Sequence, residues 1–258
     1  MITEEYVQSL SKLGKRMDGR KFDEYRNLSI EYGISAKSAE GSARVKIGGT
    51  EVVAGVKLDL GTPYSDRPAE GTIMVNVELL PLSSTKYESG PPDVSAIEMS
   101  RVIDRGIREC DAVDFKKLCV TPGEKVWMVF VDIYPLNNDG NLIDAASLAA
   151  TAALKSAVFP KLNGDKIVYG DFTKTKIPLN LMPVTCTVVN IGGKSMVDPI
   201  LEEEKNFDAR ISVSVSEKGD IHAMQKGGNV GLEIDQVDEM IGLTVKKSAE
   251  IRKVLKWN

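Results

Sequence analysis

Alternating apolar and polar positions dominate the first half of the chain and predict β-strands. A hairpin is predicted over 43–60, because two alternating runs flank Gly48-Gly49, a pair that tolerates the positive φ angles of tight turns. The run 126–134 is almost continuously apolar, as expected of a strand that is buried on both faces. A further strand is predicted to place four apolar side chains on one face: Ile73, Val75, Val77 and Leu79.

Helical spacing of apolar residues predicts four helices. A short one is predicted over 3–14, and a longer one should begin at Ser95, which has capping-box spacing to Glu98. Residues 142–154 are Ala-rich and apolar nearly all round, which predicts a buried helix. The predicted apolar face of the second helix is Ala96, Met99, Ile103, Ile107 and Cys110, and that of the closing helix is Ile234, Val237, Ile241, Val245 and Ala249.

A second set of strands is predicted from Val184 onward, with a turn at Gly192-Gly193. Ile-Gly-Gly therefore stands between two strands twice, at 47–49 and 191–193, which hints at an internal duplication. The predicted class is α/β (α+β), with two related β-then-α halves, mixed sheets and a buried Ala-rich helix. The predicted segments are an N-terminal segment 1–30, a first half 31–160, a connector 161–180 that can hold a small hairpin, and a second half 181–258.

The net charge and the cysteines limit the kinds of partner and site that we expect. Lys and Arg total 33 and Asp and Glu total 37 in 258 residues, so the net charge is −4. A freestanding nucleic-acid binder is usually basic, so a nucleic-acid partner would need a local basic patch or a shared site. The odd number of widely spaced cysteines, Cys110, Cys119 and Cys186, argues against a disulfide framework or a zinc site and favours buried free thiols. The acidic N-terminus and the absence of a long apolar run lead us to expect a soluble intracellular protein.

One basic patch is visible in the pattern. Arg101, Arg105 and Arg108 are spaced i, i+4 and i+7, which places them on one side of the predicted helix, opposite its apolar face. Two interpretations remain open. The arginines either form a solvated face with ion pairs to Glu98, Asp104 and Glu109, or they bind phosphate groups, for which the planar guanidinium is well suited.

Residues that could support enzyme chemistry are few. His222 is the single histidine and lies on a predicted strand, and no phosphate-binding or dinucleotide motif is present. An acidic cluster is a candidate metal or general-acid site: Asp198, Glu202, Glu203, Glu204 and Asp208. The interspersed Lys205 and Arg210 favour a solvated acidic loop instead.

Several motifs together resemble the RNase PH superfamily over nearly the whole chain. The segment 16–20 matches the N-terminal R-x-D-G-R motif of that family, and 48–60 is similar to its G-x-T-x-V-x-A-x-V pattern. Within the superfamily, the segments 75–82, 90–93, 96–105 and 197–199 are most similar to the non-catalytic RNase PH-like subunits of archaeal exosomes. The resemblance implies an RNase PH-like fold of the ribosomal protein S5 domain 2-like type.

Departures from the catalytic pattern are informative. Catalytic members hold the attacking phosphate in a Gly-Ser/Thr-Arg loop, whereas here Leu142 and Ile143 stand where the hydroxyl and the guanidinium would be. Neither side chain can donate a hydrogen bond. Of two aspartates six residues apart in catalytic members, Asp198 is present and the second position is Glu204, while a further acidic position is Arg210.

The resemblance therefore implies a subunit with no catalytic residue, cofactor or metal of its own. It implies a heterodimer with a catalytic RNase PH-like subunit, three copies of which form a hexameric ring, with a trimeric cap of RNA-binding proteins, in the cytoplasm and away from membranes. Single-stranded RNA would contact Arg101 and Arg105, and also Arg108. The alternative is a self-sufficient phosphorolytic or metal-dependent 3′-to-5′ exoribonuclease that uses Asp198 and Glu204.

Overall fold

The computed structural model describes residues 4–164 and 166–255, which contain three sheets. The first sheet has six strands: β1 (Leu28–Tyr32), β2 (Gly41–Ile47), β3 (Thr50–Gly61), β4 (Thr72–Val77), β5 (Cys119–Thr121) and β6 (Lys125–Asn137). Their order is β1-β2-β3-β6-β4, with β5 also paired to β6. This sheet is mixed, because β4 runs parallel to β6 and the other pairs are antiparallel.

The second sheet is formed by residues from the C-terminal part of the chain. A small hairpin of β7 (Val158–Asn163) and β8 (Lys166–Lys176) precedes it, where the sequence predicts a connector with a hairpin. The sheet contains β9 (Val184–Ile191), β10 (Lys194–Val197), β11 (Ala209–Val215) and β12 (Ile221–Gly227). Its order is β10-β9-β11-β12 and all its pairs are antiparallel, so only the first sheet is mixed.

The helices separate and flank the two sheets. They are α1 (Glu4–Lys12), α2 (Val94–Arg108), α3 (Leu142–Ser156), α4 (Leu201–Glu204) and α5 (Ile234–Leu255), with a 3-10 turn at Phe115–Leu118. Helices α2 and α3 lie between the sheets, and α5 packs on the outer face of the second sheet. Every residue of 142–154 is buried, as the Ala-rich pattern predicts, since small side chains let two sheets approach one helix.

Several sequence predictions differ from the structure in detail. Helix α2 begins earlier than predicted, because Asp93 accepts a hydrogen bond from the backbone N–H of Ala96 at 2.8 Å and is the N-cap. Strand β6 is buried on one face only, because α2 and α3 cover just one side of the first sheet and leave Phe130 half-exposed.

The buried face of α5 is also shifted from the predicted one. Ile234 and Ala249 are exposed, and the buried side chains are instead Met240, Thr244, Lys247, Ser248, Ile251 and Leu255. The hydroxyls of Thr244 and Ser248 bond to backbone carbonyls of their own helix, at Met240 and Val245, so they can be buried against the sheet at low cost. An apolar stripe alone does not reveal such a contact face.

Other expectations concern cysteines and membranes. All three cysteines are free, and Cys110 and Cys186 are buried, whereas Cys119 is half-buried at the end of β5. Among the described residues, no helix combines the length and the apolar character that a membrane span requires.

Candidate functional site

The arginine face, defined as Arg101, Arg105 and Arg108, lies on the outer side of α2. Arg101 and Arg105 are exposed, while the apolar side of the helix, including Met99 and Ile103, is buried against the rest of the protein. In the part of the chain that the structure describes, the guanidiniums of Arg101 and Arg105 have no hydrogen-bond or ion-pair partner. Two guanidiniums are therefore free to bind an anion from outside the chain.

Arg108 behaves differently from the other two arginines. Its guanidinium makes a two-point contact with Asp104, at 3.0 and 2.8 Å, and also donates to the carbonyl of Ile73 at 2.7 Å. The hydrogen bonds that Arg108 donates to the Asp104 carboxylate are the main reason why the pKa of Arg108 is raised. Glu98, another predicted partner, pairs instead with Arg210 at 2.6 Å. The solvated, ion-paired interpretation therefore describes Arg108 and does not describe Arg101 or Arg105.

A groove of about 250 Å³ runs beside these two arginines, between α2 and the edge of the second sheet. Arg101 and Arg105 line it together with exposed apolar side chains. Those apolar residues are Val94, Ile97 and Met224, with exposed fractions of 82%, 50% and 52%. The combination of an apolar wall and free guanidiniums suits a ligand with both flat apolar and anionic parts, such as a polynucleotide.

Asp198, the first candidate acid, is completely buried and held by several donors. Its carboxylate accepts from the guanidinium of Arg20 at 2.9 Å, from Arg26 through Nη2 at 2.7 Å and Nε at 2.9 Å, and from Nδ2 of Asn141 at 2.9 Å. Burial alone would raise the pKa of Asp198, but the hydrogen bonds and charge of Arg26 outweigh it and lower the pKa. We call Asp198, Arg20, Arg26 and Asn141 the Asp198 cluster. Because these donors occupy the lone pairs of the Asp198 carboxylate, none is left to bind a metal or to accept a proton.

The acidic cluster is not a solvated loop, which corrects the sequence interpretation. Glu203 is buried and pairs with Arg16, whose side chain is also fully buried, with Nε donating at 3.0 Å. Asp208 accepts from the backbone N–H of Gly192 at 2.7 Å. Within residues 4–164 and 166–255, no group of three or more His, Cys, Asp or Glu side chains is placed to hold a metal ion.

Leu142 and Ile143 are buried at the first turn of α3, with 3% and 5% of their surface exposed. Their side chains carry no polar atom, so neither side chain can donate a hydrogen bond to an anion. The single histidine, His222, lies on β12, the edge strand opposite β10, and its Nε2 is buried without a hydrogen-bond partner among the described residues.

Asp144 forms a buried polar centre next to the Asp198 cluster. Its Oδ2 accepts from the hydroxyl of Tyr25 at 2.7 Å, from the backbone N–H of Thr187 at 3.0 Å and from Nδ2 of Asn141 at 3.0 Å. Desolvation raises the pKa of Asp144 to about 6 despite these donors. The pKa of the Cys186 thiol, which contacts Tyr25, is raised as well, mainly by burial.

The raised pKa of Asp144 makes a prediction about pH. Between the ordinary pKa of Asp and about 6, the folded state binds more protons than the unfolded state, so acidification stabilises the fold through this group. When the pH is lowered from 7 to 5, the free energy of unfolding of the wild type should rise by about 1 kcal/mol more than that of Asp144→Asn. Urea unfolding of both proteins at the two pH values measures this, and a pH-independent difference would contradict the buried, ionisable Asp144.

Sequence reasoning did not identify the roles of Arg26 and Asn141. Arg26 lies in a polar stretch with no regular pattern, and only its contacts with Asp198 and Asp139 show that it closes the cluster. Asn141 has a φ of 58°, in the left-handed region that Asn tolerates better than most residues. The Asn-Asn-Asp-Gly-Asn composition of 137–141 was the available signal, and it predicted only a turn.

Comparisons with known proteins agree with this architecture. The family models described as 3′ exoribonuclease family, domain 1 and domain 2, match residues 24–160 and 182–247. The chain is 48% identical over 254 residues to the exosome complex component Rrp42 of Methanocella arvoryzae, covering 98% of this chain and 95% of that protein. It is 43% identical over 257 residues to the Rrp42 component of Thermococcus onnurineus, covering 98% and 93%.

Solved structures give the same result. A chain of the Archaeoglobus fulgidus exosome with RNA bound to the active site superposes with a TM-score of 0.91 at 43% identity, covering 98% of this chain and 97% of that one. A chain of an archaeal exosome core superposes with a TM-score of 0.86 at 40% identity, covering 98% and 96%.

Proposed function

Because this chain belongs to the 3′ exoribonuclease family of RNase PH, we propose that it is a non-catalytic subunit of an archaeal exosome, a 3′-to-5′ RNA-degrading ring. In this role it binds single-stranded RNA through α2 and helps to structure the active site of a catalytic RNase PH-like partner. The relatives named as exosome components, and their coverage of nearly the whole chain, support the proposal.

The observation that carries the non-catalytic role is the Asp198 cluster. A general acid needs a proton to give and a metal ligand needs a free lone pair, and the buried Asp198 carboxylate has neither, since Arg20, Arg26 and Asn141 occupy it. The apolar Leu142 and Ile143 in the neighbouring loop support the same conclusion. This geometry disfavours the alternative of a self-sufficient exoribonuclease.

The RNA-binding role rests on Arg101 and Arg105. Both guanidiniums are exposed and unpaired among the described residues, and like charges one turn apart on a helix are unfavourable unless an anion neutralises them. RNA phosphates are such anions, and they are bound without regard to sequence. Arg108 is a weaker candidate, because a phosphate would have to share its guanidinium with Asp104.

The partners follow from the resemblance to archaeal exosome subunits. We propose a heterodimer with the catalytic subunit, a hexameric ring of three such heterodimers, and a trimeric RNA-binding cap, all in the cytoplasm. An acidic protomer can then hold RNA, because its few free arginines would line a channel that it shares with the catalytic subunit.

The decisive experiment combines co-purification with an RNA-decay assay. The purified chain alone should not degrade an oligo-A RNA from its 3′ end, with or without phosphate. When mixed with its catalytic partner, it should form a complex with the mass of a hexamer and restore or raise phosphate-dependent decay. Robust phosphate-dependent activity of the chain alone would show instead that it is a self-sufficient enzyme.

A further inference from the structure

The β7–β8 hairpin, residues 158–176, is a two-stranded ribbon that pairs with no other strand in the described part of the chain. Its base is fixed to the rest of the protein. The ring of Phe159 lies 5.4 Å from that of Trp127 on β6, and the backbone N–H of Val158 donates to the carbonyl of Glu40 at 3.0 Å. Toward the tip, every described residue of 161–171 except Ile167 is exposed. The ribbon is therefore anchored at one end and open to a partner at the other.

Positive charge is concentrated on this hairpin, although the whole chain is acidic. Residues 158–176 contain four lysines and two aspartates, which gives the segment a net charge of +2 in a chain of −4. Lys161 is neutralised by Asp171, whose carboxylate lies 2.9 Å from its ammonium group. The other three ammonium groups are exposed and have no ion-pair or hydrogen-bond partner among the described residues; they belong to Lys166, Lys174 and Lys176.

The spacing of two of these lysines suits an extended polyanion. Lys174 and Lys176 are two residues apart on β8, so their side chains leave the same face of the ribbon. The rise of a strand separates their Cα atoms by about 6.6 Å. Successive phosphates of an extended single strand are a comparable distance apart. A positively charged surface that follows such a backbone is a common feature of proteins that bind single-stranded nucleic acid.

An exposed aromatic ring adds a second kind of contact. Tyr169 is 72% exposed, and Nζ of Lys57 on β3 lies over its ring, 5.8 Å from the centre. Lys57 is itself held by Glu40, to which it donates at 2.8 Å. One side of the ring thus faces a fixed cation, and the other side can stack on a nucleobase.

Protection of a strand edge does not account for this combination. Lysines on an exposed edge discourage pairing with other chains, and Lys161 and Pro160 fit that purpose. Exposed apolar side chains work against it, yet Leu162 and Val168 are 42% and 37% exposed beside Tyr169. The hairpin therefore presents both charge and apolar surface to a partner.

We propose that the β7–β8 hairpin is a second RNA-binding surface, on which Lys166, Lys174 and Lys176 contact phosphates of a single strand and Tyr169 stacks on a base. The choice of RNA as the polyanion rests on the proposed function. The surface itself is distinct from the arginine face, since no residue of 158–176 lines the groove beside α2. An acidic protein segment would match the charge, but the lysine spacing and the open ring favour a polynucleotide.

The test is fluorescence anisotropy of a labelled oligo-A, with the full-length chain alone and in the ring assembled with its catalytic partner. The triple variant Lys166→Ser, Lys174→Ser, Lys176→Ser should bind about tenfold more weakly at low salt. Its log–log salt dependence should be shallower by about 2 units, as expected for three lost contacts with a single strand. Tyr169→Leu should weaken binding by about tenfold with an unchanged salt dependence, because it removes a stacking ring and no charge. An unchanged RNA affinity of the triple variant in both forms would overturn the proposal.

A matched control removes three exposed lysines that lie outside the hairpin and also have no ion-pair partner among the described residues: Lys15→Ser, Lys194→Ser, Lys218→Ser. This variant has the same net charge as the hairpin variant and should retain nearly all RNA affinity. Equal losses in the two triple variants would reduce the effect to net charge and overturn the proposal. Because all six lysines are exposed, both variants should melt with the wild type.

Two comparisons separate this inference from its alternatives. If the Arg101→Ala, Arg105→Ala double variant loses RNA affinity and the hairpin variant does not, the proposed function stands and the hairpin proposal is wrong. Loss in the hairpin variant alone would support the hairpin and contradict the role of α2. Labelled polyglutamate serves as the probe for an acidic protein. Polyglutamate binding that depends on the three lysines, together with an unchanged RNA affinity, would assign the hairpin to a protein partner and overturn the proposal.

Discussion

In the proposed ring, the Arg101→Ala, Arg105→Ala double variant is expected to bind single-stranded RNA at least about 100-fold more weakly than the wild type. Hydrogen bonds to a charged group contribute about 1.5–3 kcal/mol each, and both guanidiniums are exposed without an internal partner among the described residues. Because phosphate contacts release counterions, the salt dependence of binding should also become shallower, by about 1.4 units of log–log slope for two contacts with a single strand. Fluorescence anisotropy of a labelled oligo-A over a range of salt concentrations measures both quantities.

Arg108→Ala is the matched control for this prediction. It removes a guanidinium from the same face of α2, but one that already bonds to Asp104 and to the carbonyl of Ile73. Its effect on RNA binding should be smaller than that of either Arg101→Ala or Arg105→Ala. An unchanged affinity in the double variant would mean that the subunit is purely architectural and makes no RNA contact.

The second large effect is expected for Asp198→Asn, which should lower the free energy of unfolding by about 3 kcal/mol. Asn keeps the shape of the side chain and tolerates the φ of 47° at this position, so the variant isolates the loss of charge. Arg20 and Arg26 would then lie partly buried without their shared carboxylate. The loss should fall at the low end of the usual range for a broken buried pair, because Arg20 keeps Asp18 and Arg26 keeps Asp139.

Asp139→Asn provides the comparison, since Asp139 also pairs with Arg26 but is 44% exposed. Its loss should destabilise the protein by less than about 1 kcal/mol, as is usual for an exposed ion pair. Urea unfolding of the two variants at neutral pH measures the difference. Equal, small effects would show that the Asp198 cluster does not stabilise the fold, and a chelator-sensitive stability of the wild type would indicate a metal at Asp198 instead.

The fold could be predicted well where one face of an element is apolar and the other is not. The hairpin of β2 and β3, the strand β4 and the buried helix α3 all follow their patterns closely. The predictions failed where polar side chains are satisfied locally and then buried. Thr244 and Ser248 are the examples in α5. Their hydroxyls bond within the helix, and a search for apolar positions does not detect such buried polar residues. The division of the chain into four segments stays a prediction.

The candidate site could be predicted only in part. The spacing of Arg101, Arg105 and Arg108 was visible in the sequence, but the pairing of Arg108 with Asp104 depends on rotamers that spacing does not fix. The acidic residues 198–208 looked like one group, although Asp198, Glu203 and Glu204 face three different sets of partners. Contacts across 170 or more positions of sequence, such as Arg26 to Asp198, leave no local signal.

The pairing of Arg16 with Glu203 and of Arg20 with Asp198 has a consequence for how the protein is made. These residues are separated by 187 and 178 positions in the chain, so the N-terminal arginines leave the ribosome long before their partners are synthesised. The strands of the first sheet all lie before residue 138 and can pair during that interval. The N-terminal segment cannot form these ion pairs until most of the chain has been synthesised. We therefore expect its docking to be a late step of folding.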